Sequence, residues 1–286
     1  MKRITFIKMH GLGNDFVIID SRYLNLSFET LSIDLICNRY RGVGCDQLLI
    51  LRESNSEADV NMLIFNADGT EAEACGNGLR CVASYVMDLL DSQHVVIETS
   101  SGLLPAWRQL NGDIRVSMGI PKFDWDTIPL AEECDPLAAP ISCGALKSPT
   151  CINIGNPHAV FFVDDADSID LIELGPELEV HPMFPKRSNI EVVSILDKNS
   201  IRMRVWERGV GVTAACGSGA CAAMVAANIR GLIGSSARIR LDGGILGVEW
   251  EKNGAVFLSG PIATSFSGVI EHPYIKDYMI EEASNE

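Results

Sequence analysis

Two cysteines in this chain share one short context. ACGNGLRCVA runs from Ala74 to Ala83 and ACGSGACAAM from Ala215 to Met224, so Cys75 and Cys216 are each followed by Gly, a small polar residue and Gly. Helical periodicity begins just after each. A helix N-terminus carries unpaired N–H groups and partial positive charge, which favours a thiolate and lowers its pKa from about 8.5 toward roughly 3.5–7.5. The same N–H groups can hold a carboxylate, and glycine lets it approach the backbone. Two such helix ends facing one another would place a carboxylate-bearing carbon between a thiolate and a thiol. One sulfur would take the α-proton while the other delivers a proton to the opposite face, inverting the stereocentre. The two titrations are coupled, because adjacent thiolates repel. N–H groups aimed at the carboxylate would stabilise the carbanion-like transition state.

The plain alternative for any cysteine is a small buried hydrophobe. It fits Cys37, Cys45, Cys134, Cys143 and Cys151, which have neither repeat nor glycine context. It also fits Cys81 and Cys221, which fall within the helices at different spacings from their lead cysteine. A redox dithiol is a competing use of Cys75 and Cys216, although catalytic dithiols ordinarily use C-x-x-C spacing. A disulfide between them reads as oxidative inactivation.

The motifs lie 216 − 75 = 141 residues apart, and that register extends upstream. DVNMLIFN, Asp59 to Asn66, reads as a strand, and IRMRVWE, Ile201 to Glu207, alternates Ile201, Met203 and Val205 against Arg202 and Arg204. Nine-residue loops, NADGTEAEA and ERGVGVTAA, lead to the two cysteines. The first helix carries an apolar face of Leu79, Val82, Ala83, Val86, Met87 and Leu90. The second, from about Gly219 to Ile229, is small and apolar nearly all round, so sheet must wrap it. A further echo, GNDFVII from Gly13 and GNPHAVFF from Gly155, has the offset 155 − 13 = 142. Duplication accounts for both echoes and implies two like domains related by a pseudo-two-fold axis. The expected fold is α/β of the α+β kind. It has two pseudo-symmetric lobes, each a mostly antiparallel sheet around a central helix, with the active site in the cleft between them. The Pro- and Asp-rich segment Pro121 to Pro140 marks a boundary near residue 118. The expected lobes are 1–118 with 264–286, the tail completing the first lobe, and 119–263.

With 286 residues, 47% hydrophobic and 21% charged, the composition is that of a soluble enzyme. A formal net charge of −15 offers nucleic acid no electrostatic attraction, which leaves a small solute as the expected partner. MKRITFIKMHGLGNDF lacks the apolar run of a signal peptide, and AACGSGACAAMVAANI is shorter than the ~20 residues of a membrane span. No membrane segment is expected. Nine cysteines without zinc-ribbon spacing indicate neither a closed disulfide framework nor a structural metal, and the expected compartment is a reducing cytoplasm.

KMHGLGNDF, GVGCDQ, NADGTEAEACGNGLRC, GNPHAV and ERGVGVTAACGSGACA, in this order and spread over almost the whole chain, resemble the diaminopimelate epimerases. Other cofactor-independent racemases, such as proline racemase, share the Cys-Gly pair alone and stand as the alternative within the same chemistry. The resemblance implies interconversion of LL- and meso-2,6-diaminopimelate without pyridoxal phosphate or metal, on the route to lysine and peptidoglycan. It implies Cys75 and Cys216 as the two bases, the first deprotonating the LL isomer and the second protonating the intermediate. His158 and Glu207 match positions needed for full activity. Gly76-Asn77 and Gly217-Ser218 match the cradles for the reacting carboxylate, and Asn14, Gln47, Asn66, Asn156, Asn189, Glu207 and Arg208 match the substrate-binding set. A guanidinium grips a distal carboxylate in a fork, and Asn both donates and accepts, which suits a substrate with an amino-acid group at each end. Three positions depart from the pattern: Val212 where GxGET has Glu, Cys45 where GVGFDQ has Phe, and Phe266 where members often carry a Tyr linked to homodimer formation. A homodimer is implied, without that hydroxyl.

Overall fold

A computed structural model describes residues 3–23, 31–72, 75–251 and 254–271. The chain divides into two units, Met1–Arg108 with Ile262–Glu286, and Gln109–Pro261. Both are mixed α/β, with much sheet and few helices.

The first unit contains β1 (Ile4–Gly11), β2 (Asn14–Asp20), α1 (Ile33–Cys37), β3 (Gln47–Arg52), β4 (Val60–Asn66), α2 (Gly76–Leu90), β5 (His94–Thr99) and β6 (Gly102–Arg108). The strands lie in this spatial order, with a last strand, Ala263–Ile270, beyond β1. β2 with β3 and β4 with β5 are parallel, and the other neighbours are antiparallel. α2 packs on β1, β2, β5 and β6. Leu79, Val82, Ala83, Val86 and Met87 are buried, as their spacing predicts. Leu90 is 48% exposed, because the helix ends there and Asp91 turns the chain in the left-handed region at φ 49. Burial is also wider than one face, since every residue from Gly76 to Ala83 is covered.

The second unit contains β7 (Ile114–Ser117), β8 (Ser142–Cys143), β9 (Leu146–Lys147), β10 (Thr150–Asn153), β11 (Pro157–Phe162), α3 (Leu171–Glu179), β12 (Asn189–Asp197), β13 (Ser200–Glu207), β14 (Gly211–Val212), α4 (Gly217–Ile229), β15 (Ser236–Arg240), β16 (Ile245–Trp250) and β17 (Val256–Gly260). Its main sheet runs β10-β11-β12-β13-β15-β16-β17-β7. β11 with β12 and β13 with β15 are parallel, and the other neighbours are antiparallel. α4 touches β10, β11, β12, β13, β15, β16 and β17 and is buried from Gly217 to Ala227, which is why its side chains are small on every side. Pro121 to Pro140 is packed into this unit, with Ile128, Leu130 and Ala139 in the core. Because β7 pairs with β17, residues 114–117 belong to this unit. The strand Ala263–Ile270, here β18, belongs to the first.

The duplication reaches individual pairings. Phe65 bridges Glu71 and Trp206 pairs with Val212, both at offset 141. Phe16 pairs with Gln47 and His158 with Asn189, both at offset 142. The glycines before Asn14 and Asn156 have φ 90 and 92, a left-handed conformation that side chains resist. The repeated Gly-Asn is therefore a backbone requirement as well as a chemical one. Among the described residues no helix is long and apolar enough to cross a membrane.

Candidate active site

In the first unit, Cys75 is the N-cap of α2, and its Sγ accepts from the Gly78 N–H at 3.3 Å. A Cβ at Gly78 would come within 3.3 Å of that sulfur and 3.1 Å of Leu49 Cδ1, so the second glycine of the motif makes room for the cap. The Cys75 thiol faces Asn14 Oδ1 at 3.9 Å, and Asn77 Nδ2 donates to the same oxygen at 3.1 Å. Asn14 Nδ2 donates to Asp46 at 2.9 Å. Asp15, next in the chain, takes bonds from Arg39 and an ion pair from the buried Lys8. Burial raises the Asp15 pKa, but Arg39 and Lys8 outweigh it and hold the carboxyl well below the usual range. Gln47, opening β3, donates to Asn66, closing β4, at 3.0 Å. Cys75, Asn14, Gln47, Asn66 and Asn77 thus occupy strand ends and the helix start of one unit.

In the second unit, Cys216 caps α4 in the same way, with the Gly219 N–H donating to Sγ at 3.4 Å. Ser218 Oγ lies 3.6 Å from the sulfur. The surroundings differ. Cys216 is 4% exposed, and Glu207, ending β13, stands close enough to hydrogen-bond its thiol. Burial pushes this thiol well above its ordinary range, and the carboxylates of Glu207 and Glu191 push the same way against Gly219 and Ser218. The expectation that both helix ends lower a cysteine pKa is corrected here: desolvation and two carboxylates outweigh the helix terminus. Burial also raises the Glu207 pKa, opposed by hydrogen bonds from Thr213 and Cys216.

His158, on β11, places Nε2 2.7 Å from Asn156 Oδ1 and Nδ1 2.7 Å from Glu191 Oε1. Asn189 donates to the Pro157 carbonyl at 2.8 Å and accepts from the Arg208 N–H at 2.9 Å, orienting the turn that carries Arg208. Glu179, at the end of α3, accepts from Trp206 Nε1 at 2.7 Å and the Gly209 N–H at 2.9 Å, bracketing Glu207 and Arg208 from both sides. Two positioning groups, Glu191 and Glu179, lie outside the quoted motifs, while Thr213 lies within one without being singled out. Glu191 leaves a trace in the sequence as a lone charge within the apolar run NIEVVSIL.

The departures resolve locally. Val212 is 40% exposed on β14, while the neighbouring Thr213 hydroxyl donates to Glu207. Cys45 is a core residue, its sulfur 3.5 Å from that of Cys37. Phe266, on β18, is half exposed and meets Phe6 edge-on at 5.9 Å.

The profile described as diaminopimelate epimerase matches residues 6–123 and 150–264. A diaminopimelate epimerase of Rhodospirillum centenum is 51% identical over 278 residues, 97% of this chain and 96% of that protein. The chain belongs to the diaminopimelate epimerase family. A second member, from Erythrobacter litoralis, is 46% identical over 94% of this chain and 98% of its own. Solved structures extend the likeness of fold. A hydroxyproline epimerase from Agrobacterium vitis aligns with TM-score 0.68 at 16% identity, covering 94% of this chain and 91% of that one. A PhzF-family protein of Bacillus anthracis aligns with TM-score 0.67 at 19% identity, covering 95% and 100%.

Proposed function

We propose that this protein is an isomerase that converts LL-2,6-diaminopimelate to the meso isomer by two-base proton transfer, with Cys75 and Cys216 acting on opposite faces of one α-carbon. The observation that carries the proposal is the matched cap: two cysteines, one per unit, each beginning a buried helix and accepting an N–H from the glycine three residues on. Such ends supply a base and a cradle for the reacting carboxylate together, Gly76-Asn77 in one unit and Gly217-Ser218 in the other. Cys75, half-buried and accepting from the Gly78 N–H, serves as the resting thiolate. Cys216, buried with Glu207 and Glu191, serves as the resting thiol. Asn14, Gln47, Asn66, Asn156, Asn189 and Arg208 bind the substrate, and Arg208 grips the distal carboxylate. His158 and Glu207 manage the proton on Cys216. The enzyme acts without pyridoxal phosphate or metal, as a cytoplasmic homodimer supplying lysine and peptidoglycan precursors.

In deuterated water, LL-diaminopimelate is expected to gain deuterium at one α-carbon as meso product forms. Absence of exchange, or turnover confined to proline, hydroxyproline or glutamate in a substrate panel, would overturn the assignment.

A further inference from the structure

Glu191 is a charged residue in an apolar place. It is 0% exposed near the start of β12, paired with Val160 on β11 and Val205 on β13. Burying a carboxylate is costly unless it is held by partners. One oxygen, Oε1, meets His158 Nδ1 at 2.7 Å, while Oε2 finds no hydrogen-bond partner among the described residues. The carboxylate also lies under the first turn of α4. A Cβ built on Gly219 would fall 2.7 Å from Oε1 and 3.2 Å from Cys216 Sγ, so this glycine is a thin wall between carboxylate and thiol.

The duplication supplies a control within the molecule. Offset 142 places Phe16 opposite His158 and Leu49 opposite Glu191, and Leu49 sits under Gly78 as Glu191 sits under Gly219. The two units share a backbone at this point. Only the second carries a polar pair there, at the cost of a buried and incompletely partnered carboxylate.

We propose that Glu191 is a positioning residue for proton transfer at Cys216: it anchors His158 through Nδ1, turning Nε2 to Asn156, and its carboxylate beneath α4 keeps Cys216 in the protonated, proton-donating form. The inference rests on the two-base reading for its catalytic meaning. Its effect on the thiol is measurable without turnover. The titratable groups around Glu191 and Cys216 are His158 on β11, Cys151 on β10 and Glu207 on β13. Of these, Glu207 also acts on Cys216, so its variant serves as a comparison.

The test is the pH dependence of iodoacetamide alkylation, followed at Cys216 and Cys75 by peptide mass spectrometry, in the full chain and in Glu191→Gln. The expected result is a midpoint for Cys216 lowered by about one pH unit or more, with Cys75 unmoved. For LL-diaminopimelate, kcat should fall roughly 10–100-fold with little change in KM, and the alkaline limb of the rate profile should move to lower pH. Glu191→Asp should restore part of both. If Glu191→Gln does not fold, the His158→Phe, Glu191→Leu double variant installs the apolar pair of the first unit and should lower the Cys216 midpoint likewise. An unmoved Cys216 midpoint in either folded variant overturns the proposal. A shifted midpoint in a protein that exchanges no α-proton of diaminopimelate would sink the epimerase assignment and leave the Glu191 effect standing.

Discussion

The two halves of this chain build the same cap and surround it differently. Cys75 shares the first turn of α2 with Gly78, which packs on Leu49, and its sulfur faces Asn14. Cys216 shares the first turn of α4 with Gly219, which packs on the carboxylate of Glu191, the partner of His158, and Glu207 stands at its side. The strand that ends in Asn66 in the first unit ends in Glu207 in the second. Duplication thus preserved the backbone that presents sulfur and N–H groups, while side chains divided the labour. For the proposed two-base reaction, coupling between adjacent thiols already favours one thiolate with one thiol, and unequal surroundings would fix which sulfur holds the proton at rest.

The comparison is broken most severely at the sulfurs. Cys75→Ala and Cys216→Ala are each expected to lower epimerisation by roughly 10³-fold or more. They should not behave alike in deuterated water. Cys216→Ala should still wash deuterium into the LL isomer without inversion, whereas Cys75→Ala should do so only with the meso isomer. Symmetrical behaviour in an NMR exchange assay would remove the assigned roles. Next in size, Leu49→Glu copies the second unit's carboxylate without its histidine. It should destabilise the protein by about 3–5 kcal/mol, read by urea unfolding, because an unpaired charge is buried. Glu207→Gln keeps the shape and removes the charge. It should lower kcat about 10²-fold and move the Cys216 alkylation midpoint to lower pH, while leaving Cys75 unaffected.

The smallest effect concerns the ionic frame behind Asn14. Asp15 is held below the usual carboxylate range, so its contribution to stability is present above the unfolded carboxylate pKa and is lost as pH falls through the folded value. Asp15→Asn should therefore cost about 1–3 kcal/mol near pH 7, and the gap from the parent should shrink below about pH 4 in thermal melts. A gap that grew on acidification would contradict the Lys8 and Arg39 pairing.

The cysteine caps are legible in the sequence because their chemistry is local: a cap, its glycines and the helix behind it occupy adjacent positions. The alternation of Ile201, Met203 and Val205 is legible for the same reason, and those three side chains are buried. Glu191 is not, since it comes under Cys216 only through the register of β12 against β11 and the crossing of α4, relations that span some two dozen residues or more of chain. The thiol chemistry of Cys216 is not legible either, for a related reason. A helix terminus can be read from neighbours in the sequence, but the desolvation that opposes it depends on everything packed around it. Leu90 shows the limit of periodicity, which marks a face but not where the helix stops being covered.

The pairing of β1 with β18 has a consequence for biosynthesis. Ile4–Gly11 leaves the ribosome before Gln109–Pro261, yet one of its neighbours, Ala263–Ile270, emerges after the whole of that segment. The intervening segment is contiguous and can complete its own contacts first, while Ile4–Gly11 waits with an open edge. Such an edge invites pairing with another nascent chain, and the delay grows with every slow codon in between. Loss of Ala263–Ile270 would therefore be felt at Ile4–Gly11, as aggregation seeded by that strand's open edge.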